Sequence, residues 1–564
     1  MTSRKLRIFV LAIVLAGPAA AETVPSGAYL AARQAGMDGD FANAARYYTR
    51  ALAAEPDNPA LMEATAMSHV AIGQVDRAIP VARRMVEAGH ASQVANMVLM
   101  AGHAAEGRHE QILEMLRDDR GVGLLVDGLA RAWAEMGQGN MSAALVAFDE
   151  VAQERGLRGF ALYHKALALA SVGDFEGAEA IYADETAGAM GLTRRGAMAR
   201  IEVLSQLDRN EKALELLEEA FGRNVDPELA DMRARLEAGE TLPYTHVARP
   251  RDGLAEVFFT ISGALRDEAN DDFTLLYSRV AEYLRPDHVE AILMSAGLLE
   301  RMGRYDLAVD TYKRVPREHP SYHAAELGRA EALRQADKPD AAIEVLEQLA
   351  ETHADLPSVH STLGDLLRSL ERFEEAVAAY DKALASYEEP DEGQWFLYYT
   401  RGIAHERIDR WEEAEADFRK SLELNPGQPQ VLNYLGYSLV EKKTKLDEAL
   451  GMIEQAVEAQ PDSGYIVDSL GWVLYRLGRY EEAVGHMERA AELLPVDPIV
   501  NDHLGDVYWA VGRRMEARFQ WQRALSFDPE EEDAERIRRK LEVGLDEVLS
   551  EEGSPPLRVA DDGG

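Results

Sequence analysis

The chain has 564 residues, 47% hydrophobic and 28% charged, with 22 prolines and few aromatic residues, the composition of a folded, helix-rich protein and not of a disordered one. It contains no cysteine, which excludes disulfides, thiolate metal sites and lipidation at a cleavage-site cysteine. A formal charge of −39 disfavours nucleic acid and anionic lipid as partners and points to basic or neutral surfaces, although the same charge also keeps a long molecule soluble.

At the start of the chain, basic Arg4, Lys5 and Arg7 precede an apolar run from Ile8 to Ala16, and Ala19, Ala20 and Ala21 follow as small residues. That order predicts an export signal over residues 1–21 and a mature chain beginning at Glu22. The run is too short to span a bilayer, and no later stretch approaches the roughly 18 consecutive apolar residues a membrane helix needs. Retention of the segment as an interfacial anchor is the alternative.

Residues 22–239 carry a recurring pattern of small and aromatic residues. Gly39, Phe41, Ala44, Tyr48, Ala51 and Pro56 set it out; Gly73 with Ala78, and Gly173 with Phe175, Ala178 and Tyr182, repeat parts of it. Residues 93–156 and 193–224 keep helical periodicity with weaker signatures. The pattern then breaks at residues 240–252, where Pro243 and Pro250 each force a neighbour out of helix and Arg249 and Arg251 are basic in an acidic chain. This stretch is expected to divide two arrays, either as a passive surface linker or as a strap that docks a partner.

Over residues 253–531 the pattern resumes with Gly303, Tyr305, Ala308 and Tyr312, then Leu363-Gly364, Phe373, Ala376, Tyr380 and Ala383. Its clearest register comes last: Gly402, Gly436, Gly471 and Gly505 recur at intervals of 34, 35 and 34 residues. Ala414, Ala449, Ala483 and Ala517 keep step, and Pro426, Pro461, Pro495 and Pro529 close each unit. Small residues let two helices approach closely, and proline stops the second from running on, so each unit reads as a helix hairpin. In the unit from Gly464 to Asp497, Val467, Leu470, Gly471 and Leu474 share one face, Gly478 and Tyr480 mark the turn, and Ala483, Met487 and Ala490 face inward from the second helix. Residues 532–550, with Ile537, Leu541, Leu545 and Val548 on one stripe amid charges, predict a capping helix, and residues 551–564 a disordered tail.

Leu470-Gly471, Tyr480, Ala483, Ala490 and Pro495 resemble the tetratricopeptide repeat, whose pattern is Leu-Gly, an aromatic, then Ala, Ala and Pro at fixed offsets. The resemblance extends over most of the mature chain. It implies an all-α, right-handed superhelical solenoid of about fourteen helix hairpins, stabilised by stacking because one repeat cannot bury its own apolar face.

Catalytic and metal patterns are lacking. His319 and His323 are separated by Pro320 and fit no zinc-peptidase motif, and there is no phosphate loop, nucleophile elbow or dinucleotide fingerprint. Pairs such as Glu374-Glu375, Glu412-Glu413 and Glu481-Glu482 sit at second-helix starts, where acids complement the helix dipole. In the repeat family, first-helix positions two, five, nine and twelve line a concave groove. Carried over, these are Phe396, Tyr399 and Ile403; Asn433 and Tyr437; Tyr465, Asp468, Trp472 and Tyr475; and Asp502, Asp506 and Trp509. Rings there offer contact area, and Asn and Asp can bind a peptide backbone; packing between neighbouring repeats is the other reading of the same rings. Family members that clamp a terminal carboxylate use Lys, Arg and Asn at these positions. Here the matching residues are aromatic or acidic, so basic or apolar ligands are expected.

The export signal, the many repeats and the run Leu470-Gly471-Trp472 followed by His503-Leu504-Gly505-Asp506 resemble envelope repeat proteins of Gram-negative bacteria. Some of these are adaptors that feed substrates to a periplasmic carboxyl-terminal processing protease; they are usually lipoproteins, and this chain lacks the cysteine. The resemblance implies a non-enzymatic, periplasmic protein-binding scaffold without cofactor or metal. A structural assembly factor for envelope polysaccharide or outer-membrane machinery is the alternative.

Overall fold

Apolar residues at helical spacing yield a helical chain, with no strand among the described residues. The computed structural model describes residues 26–184, 193–222, 225–266, 268–387, 390–554 and 557, so the predicted export signal and most of the predicted tail lie outside the described residues. Two compact units are present, Met1–Val345 and Leu346–Gly564.

The first unit contains α1 (Ser26–Met37), α2 (Phe41–Ala54), α3 (Pro59–Ala71), α4 (Val75–Glu87), α5 (Gln93–Ala105), α6 (His109–Arg117), α7 (Leu124–Gly137), α8 (Met141–Gln153) and α9 (Arg158–Ser171). It continues with α10 (Phe175–Tyr182), α11 (Arg194–Gln206), α12 (Asn210–Phe221), α13 (Pro227–Glu237), α14 (Pro250–Leu265), α15 (Asp271–Leu284), α16 (Val289–Arg301), α17 (Tyr305–Tyr312) and α18 (Tyr322–Gln335). Helix α19 (Pro339–Thr352) carries the boundary between the units. The second unit contains α20 (Pro357–Ser369), α21 (Phe373–Ala385), α22 (Trp395–Arg407), α23 (Trp411–Leu424), α24 (Pro429–Glu441) and α25 (Leu446–Ala459). It ends with α26 (Gly464–Arg476), α27 (Tyr480–Leu493), α28 (Pro498–Ala510), α29 (Arg514–Leu525), α30 (Glu531–Val543) and α31 (Leu545–Glu551). Among the described residues, consecutive helices pair as six hairpins from α1–α2 to α11–α12, then as α14–α15 and α16–α17, and as five hairpins from α20–α21 to α28–α29, close to the repeat count expected from the sequence.

The hairpin α26–α27 shows why the pattern works. Val467, Leu470 and Leu474 of the first helix are buried, as are Ala483, Met487 and Ala490 of the second. A Cβ on Gly471 would sit 2.5 Å from the Met487 sulfur, so the glycine is what lets the two helices close. The turn between them takes a left-handed residue, Gly478, and the equivalent turns of other hairpins place Asp337, Glu371 or Asp409 in that conformation. Pro426, Pro461 and Pro495 each stand two residues beyond the end of a second helix, as expected.

In the first unit the chain departs from a simple stack. Segment 240–252 is neither a passive linker nor a free strap: Leu242, His246 and Val247 are buried, and Pro250 is the first residue of α14. The reason lies in α11, whose Ser205 accepts from Leu242 N and whose Glu202 accepts from Thr245 N and contacts His246 Nδ1. Helices α14 and α15 then turn back and pack against α3, α5, α7 and α9, the first helices of the preceding hairpins. Gly253 of α14 lies so close to the fully buried Trp133 of α7 that a Cβ would come to 2.3 Å from the indole ring. Arg279 of α15 donates to Ala71 O of α3 at 3.2 Å. The groove of the N-terminal hairpins is thus filled by their own chain. The break at 240–252 accordingly does not separate two bodies; the compact units divide at Val345 instead.

At the other end, the expected capping helix is two helices, α30 and α31, parted by Gly544 at a φ of 93°. The bend is needed because Gly544 lies against the Trp509 ring, 2.7 Å from the position a Cβ would take to Cζ2.

Candidate functional site

The first helices α22, α24, α26 and α28 present successive faces to a groove in the second unit, and the residues singled out from the sequence divide into two groups there. One group is open. Phe396 and Tyr465 are 45% and 61% exposed, large values for aromatic side chains. Asn433 and Tyr437 are half-buried and line a cavity of about 360 Å³ with Glu406, Glu441, Asp468 and Ile499. Asn433 Oδ1 has no hydrogen-bond partner there, and Ile499 is 49% exposed on the same cavity. Burial, with Glu441 next in effect, raises the Tyr437 hydroxyl well above its ordinary range, so it stays protonated and able to donate.

The other group is engaged within the chain. Tyr399 packs its ring against Phe418 and Tyr434 at centroid separations of 6.1 and 5.9 Å. Trp472 is buried, stacked on His503 at 4.0 Å and on Tyr475 at 4.8 Å, and its indole donates to Glu441 Oε1 at 2.7 Å. Asp468 is within 3.0 Å of His503 Nδ1. At the end of the groove, Lys540 of α30, with no exposed surface, donates to Asp502 Oδ2 at 2.7 Å and to both oxygens of Asp506 at 2.7 and 2.8 Å. Asp506 also accepts from the Trp521 indole, and the Trp509 indole donates to Asp546 of α31. Trp472, Tyr475, Asp506 and Trp509, expected to face a partner, are therefore satisfied in cis: the cap lies over the last repeat, and aromatic stacking closes the one before it.

Sequence reasoning missed Lys540, His503 and Glu441. Lys540 carried a signal, since it falls three residues after Ile537 on the apolar stripe of the cap and so had to point inward. The partners of His503 and Glu441 come from neighbouring repeats, and no local pattern marks them.

The His503 pair gives a pH dependence. Burial lowers the imidazole pKa, but the charge and hydrogen bond of Asp468, helped by Asp502 and Asp506, more than offset this and leave it raised above 6.5. A histidine raised in the folded state contributes stability that is complete below its unfolded value and is lost as pH rises through the folded value. We expect unfolding monitored in α26–α28 to show this loss on the alkaline side of pH 6.5, and Asp468→Asn to abolish it. An unchanged profile in that variant would assign the dependence elsewhere.

Family models described as tetratricopeptide repeat match residues 37–99, 275–357, 355–427 and 440–498. These stretches of the chain are tetratricopeptide repeats. Among curated relatives of this repeat protein, TPR repeat-containing protein PA4667 of Pseudomonas aeruginosa is 28% identical over 173 residues, which are 30% of this chain and 28% of the relative. Protein O-mannosyl-transferase TMTC1 of Homo sapiens is 26% identical over 188 residues, 33% of this chain and 21% of that protein. This chain thus spans less than a third of the length of either. Of solved structures, the APC/C hetero-tetramer Cut9-Hcn1 aligns over 92% of this chain and 96% of its own, at 14% identity and a TM-score of 0.37. Tetratricopeptide repeats serve as protein-binding scaffolds. Among the described residues, no group of three or more His, Asp or Glu side chains is placed to hold a metal ion, and no helix is long and apolar enough to cross a membrane.

Proposed function

We propose that this repeat protein is a non-enzymatic scaffold whose C-terminal groove binds a basic segment of a partner protein. One observation carries the reading: the groove already holds a helix of its own chain, with the Lys540 ammonium buried between Asp502 and Asp506. The open stretch beside it repeats that chemistry in a form still to be filled. Asn433 Oδ1 lacks a donor, Glu406 and Glu441 supply negative charge, and Tyr465, Ile499 and Phe396 supply exposed apolar surface. A segment bearing Lys or Arg beside apolar residues meets both needs. The finer reading is a periplasmic adaptor that presents such segments to a carboxyl-terminal processing protease; the charged, apolar and small-residue order of residues 1–21 supports the location.

Affinity capture from a periplasmic extract tests it, using the full chain and the variants Tyr465→Ala and Phe396→Ala. Both side chains are exposed, so the fold should hold while capture weakens by about tenfold or more, the effect of losing an aromatic anchor. The captured segment should be basic, and chain recovered from the envelope should begin at Glu22. Capture of envelope assembly components alone would favour the assembly-factor reading, and undiminished capture by both folded variants would move the site away from this groove.

A further inference from the structure

The largest cavity among those described lies in the first unit, about 890 Å³ between α14, α16 and α18, with the starts of α11 and α13 along one side. Its size suits a ligand of drug dimensions. One wall is apolar, formed by Phe259 of α14 and by Leu293, Met294 and Leu298 of α16. Gly263 and Gly297 also line it, and a Cβ built at either would meet nothing within 4 Å. These glycines therefore differ from Gly471, whose missing side chain makes room for Met487: here glycine weakens a helix with no packing contact in return, and what it leaves is open space.

The other wall is charged, and its acids are all committed. Arg194 holds Asp226 and Glu228, while Arg195 donates from Nε to both oxygens of Glu256 at 2.9 and 2.8 Å and from Nη1 to Glu290 at 2.6 Å. Glu256 takes a further bond from the Tyr163 hydroxyl. What remains is donor capacity: the bonds of Arg195 to these acids use Nε and Nη1, and the guanidinium of Arg266 is exposed at the rim. This preference for an anion is local, since the chain as a whole carries a charge of −39.

We propose that this cavity binds a small amphiphile with an anionic head, the head at Arg195 and Arg266 and the apolar body along Phe259, Leu293, Met294 and Gly297. The site lies in a different unit from the protein-binding groove and does not depend on it.

Titration calorimetry on the full chain tests the proposal with three probes below any micelle concentration: dodecanoate, dodecyltrimethylammonium and acetate. Dodecanoate should bind saturably at one per chain, while acetate lacks the body and the cation lacks the acceptor. Gly297→Leu fills the open space, and Arg266→Glu reverses the charge at an exposed position where folding is not at risk. Each should weaken dodecanoate about tenfold or more, with the melting temperature of Arg266→Glu unchanged. Arg195 is left intact because its removal would strand buried Glu256. Absence of saturable dodecanoate binding, equal binding of the cationic probe, or full binding by folded Arg266→Glu and Gly297→Leu overturns the proposal.

Discussion

Lys540→Met destabilises the C-terminal repeats by about 3–5 kcal/mol, the usual consequence of removing one member of a buried ion pair. Lys540 has no exposed surface, and Asp506 beneath it has almost none, so water cannot replace the lost ammonium. Arg536 is the nearest remaining cation, 3.7 Å from Asp506, but it is already drawn to Glu552. Burial raises the Asp506 pKa above its ordinary value even with Lys540 present, and losing the lysine raises it further. An acid whose pKa is higher folded than unfolded is relieved by protonation. The penalty in Lys540→Met should therefore shrink as pH falls from 7 towards 4. Adding Asp506→Asn should recover part of the loss at pH 7, because the amide keeps an acceptor for the Trp521 indole without the charge. Urea unfolding read by hydrogen exchange in α28–α31 measures both effects. A variant as stable as the parent at pH 7 would mean that the cap is held by its apolar stripe alone.

Trp472→Ala carries a loss of similar size, about 3–5 kcal/mol, as expected for truncating a large buried ring. The ring is 7% exposed, stacks between Tyr475 and His503, and gives its N–H to Glu441. Its removal opens a cavity in the core formed with Leu470, Val473 and Met487 and leaves His503 without its platform. The melting temperature should fall. Loss of partner capture in this variant would then report folding, which is why the exposed Tyr465 and Phe396 are the informative groove substitutions. Trp472→Phe separates the parts: it keeps most of the packing and loses the bond to Glu441, so its cost should be well below that of alanine. A Trp472→Ala chain with an unchanged melting temperature would show that the ring stands free of the core.

The repeat register was legible because it is written locally. Gly471 and Met487 lie 16 residues apart within one hairpin, and the hairpins from α20–α21 to α28–α29 repeat the same small-on-large contact, as Gly364 under Tyr380, Gly402 under Phe418 and Gly505 under Trp521. Helical periodicity, turn residues and closing prolines follow from that one contact, so hairpin count and helix faces could be read without coordinates. The groove positions were legible for the same reason, as fixed offsets from the glycine.

What fills each groove was not legible, because the occupant lies far along the chain and obeys no repeat. Nothing near Trp133 announces Gly253, 120 residues later, nor does Ala71 announce Arg279. Pro250, read as a breaker, starts the very helix that turns back, since a proline is as well suited to a first helical turn as it is unsuited to an interior one. In the C-terminal repeats, Asp506 and Trp509 occupy partner-facing positions by register and are still buried, because α30 and α31 reach them first. Tyr465 and Asn433, at other groove positions, remain open on a cavity that no residue of the cap lines. Local spacing sets which face of a helix a residue occupies; what that face meets is settled by packing between segments whose separation in sequence carries no period.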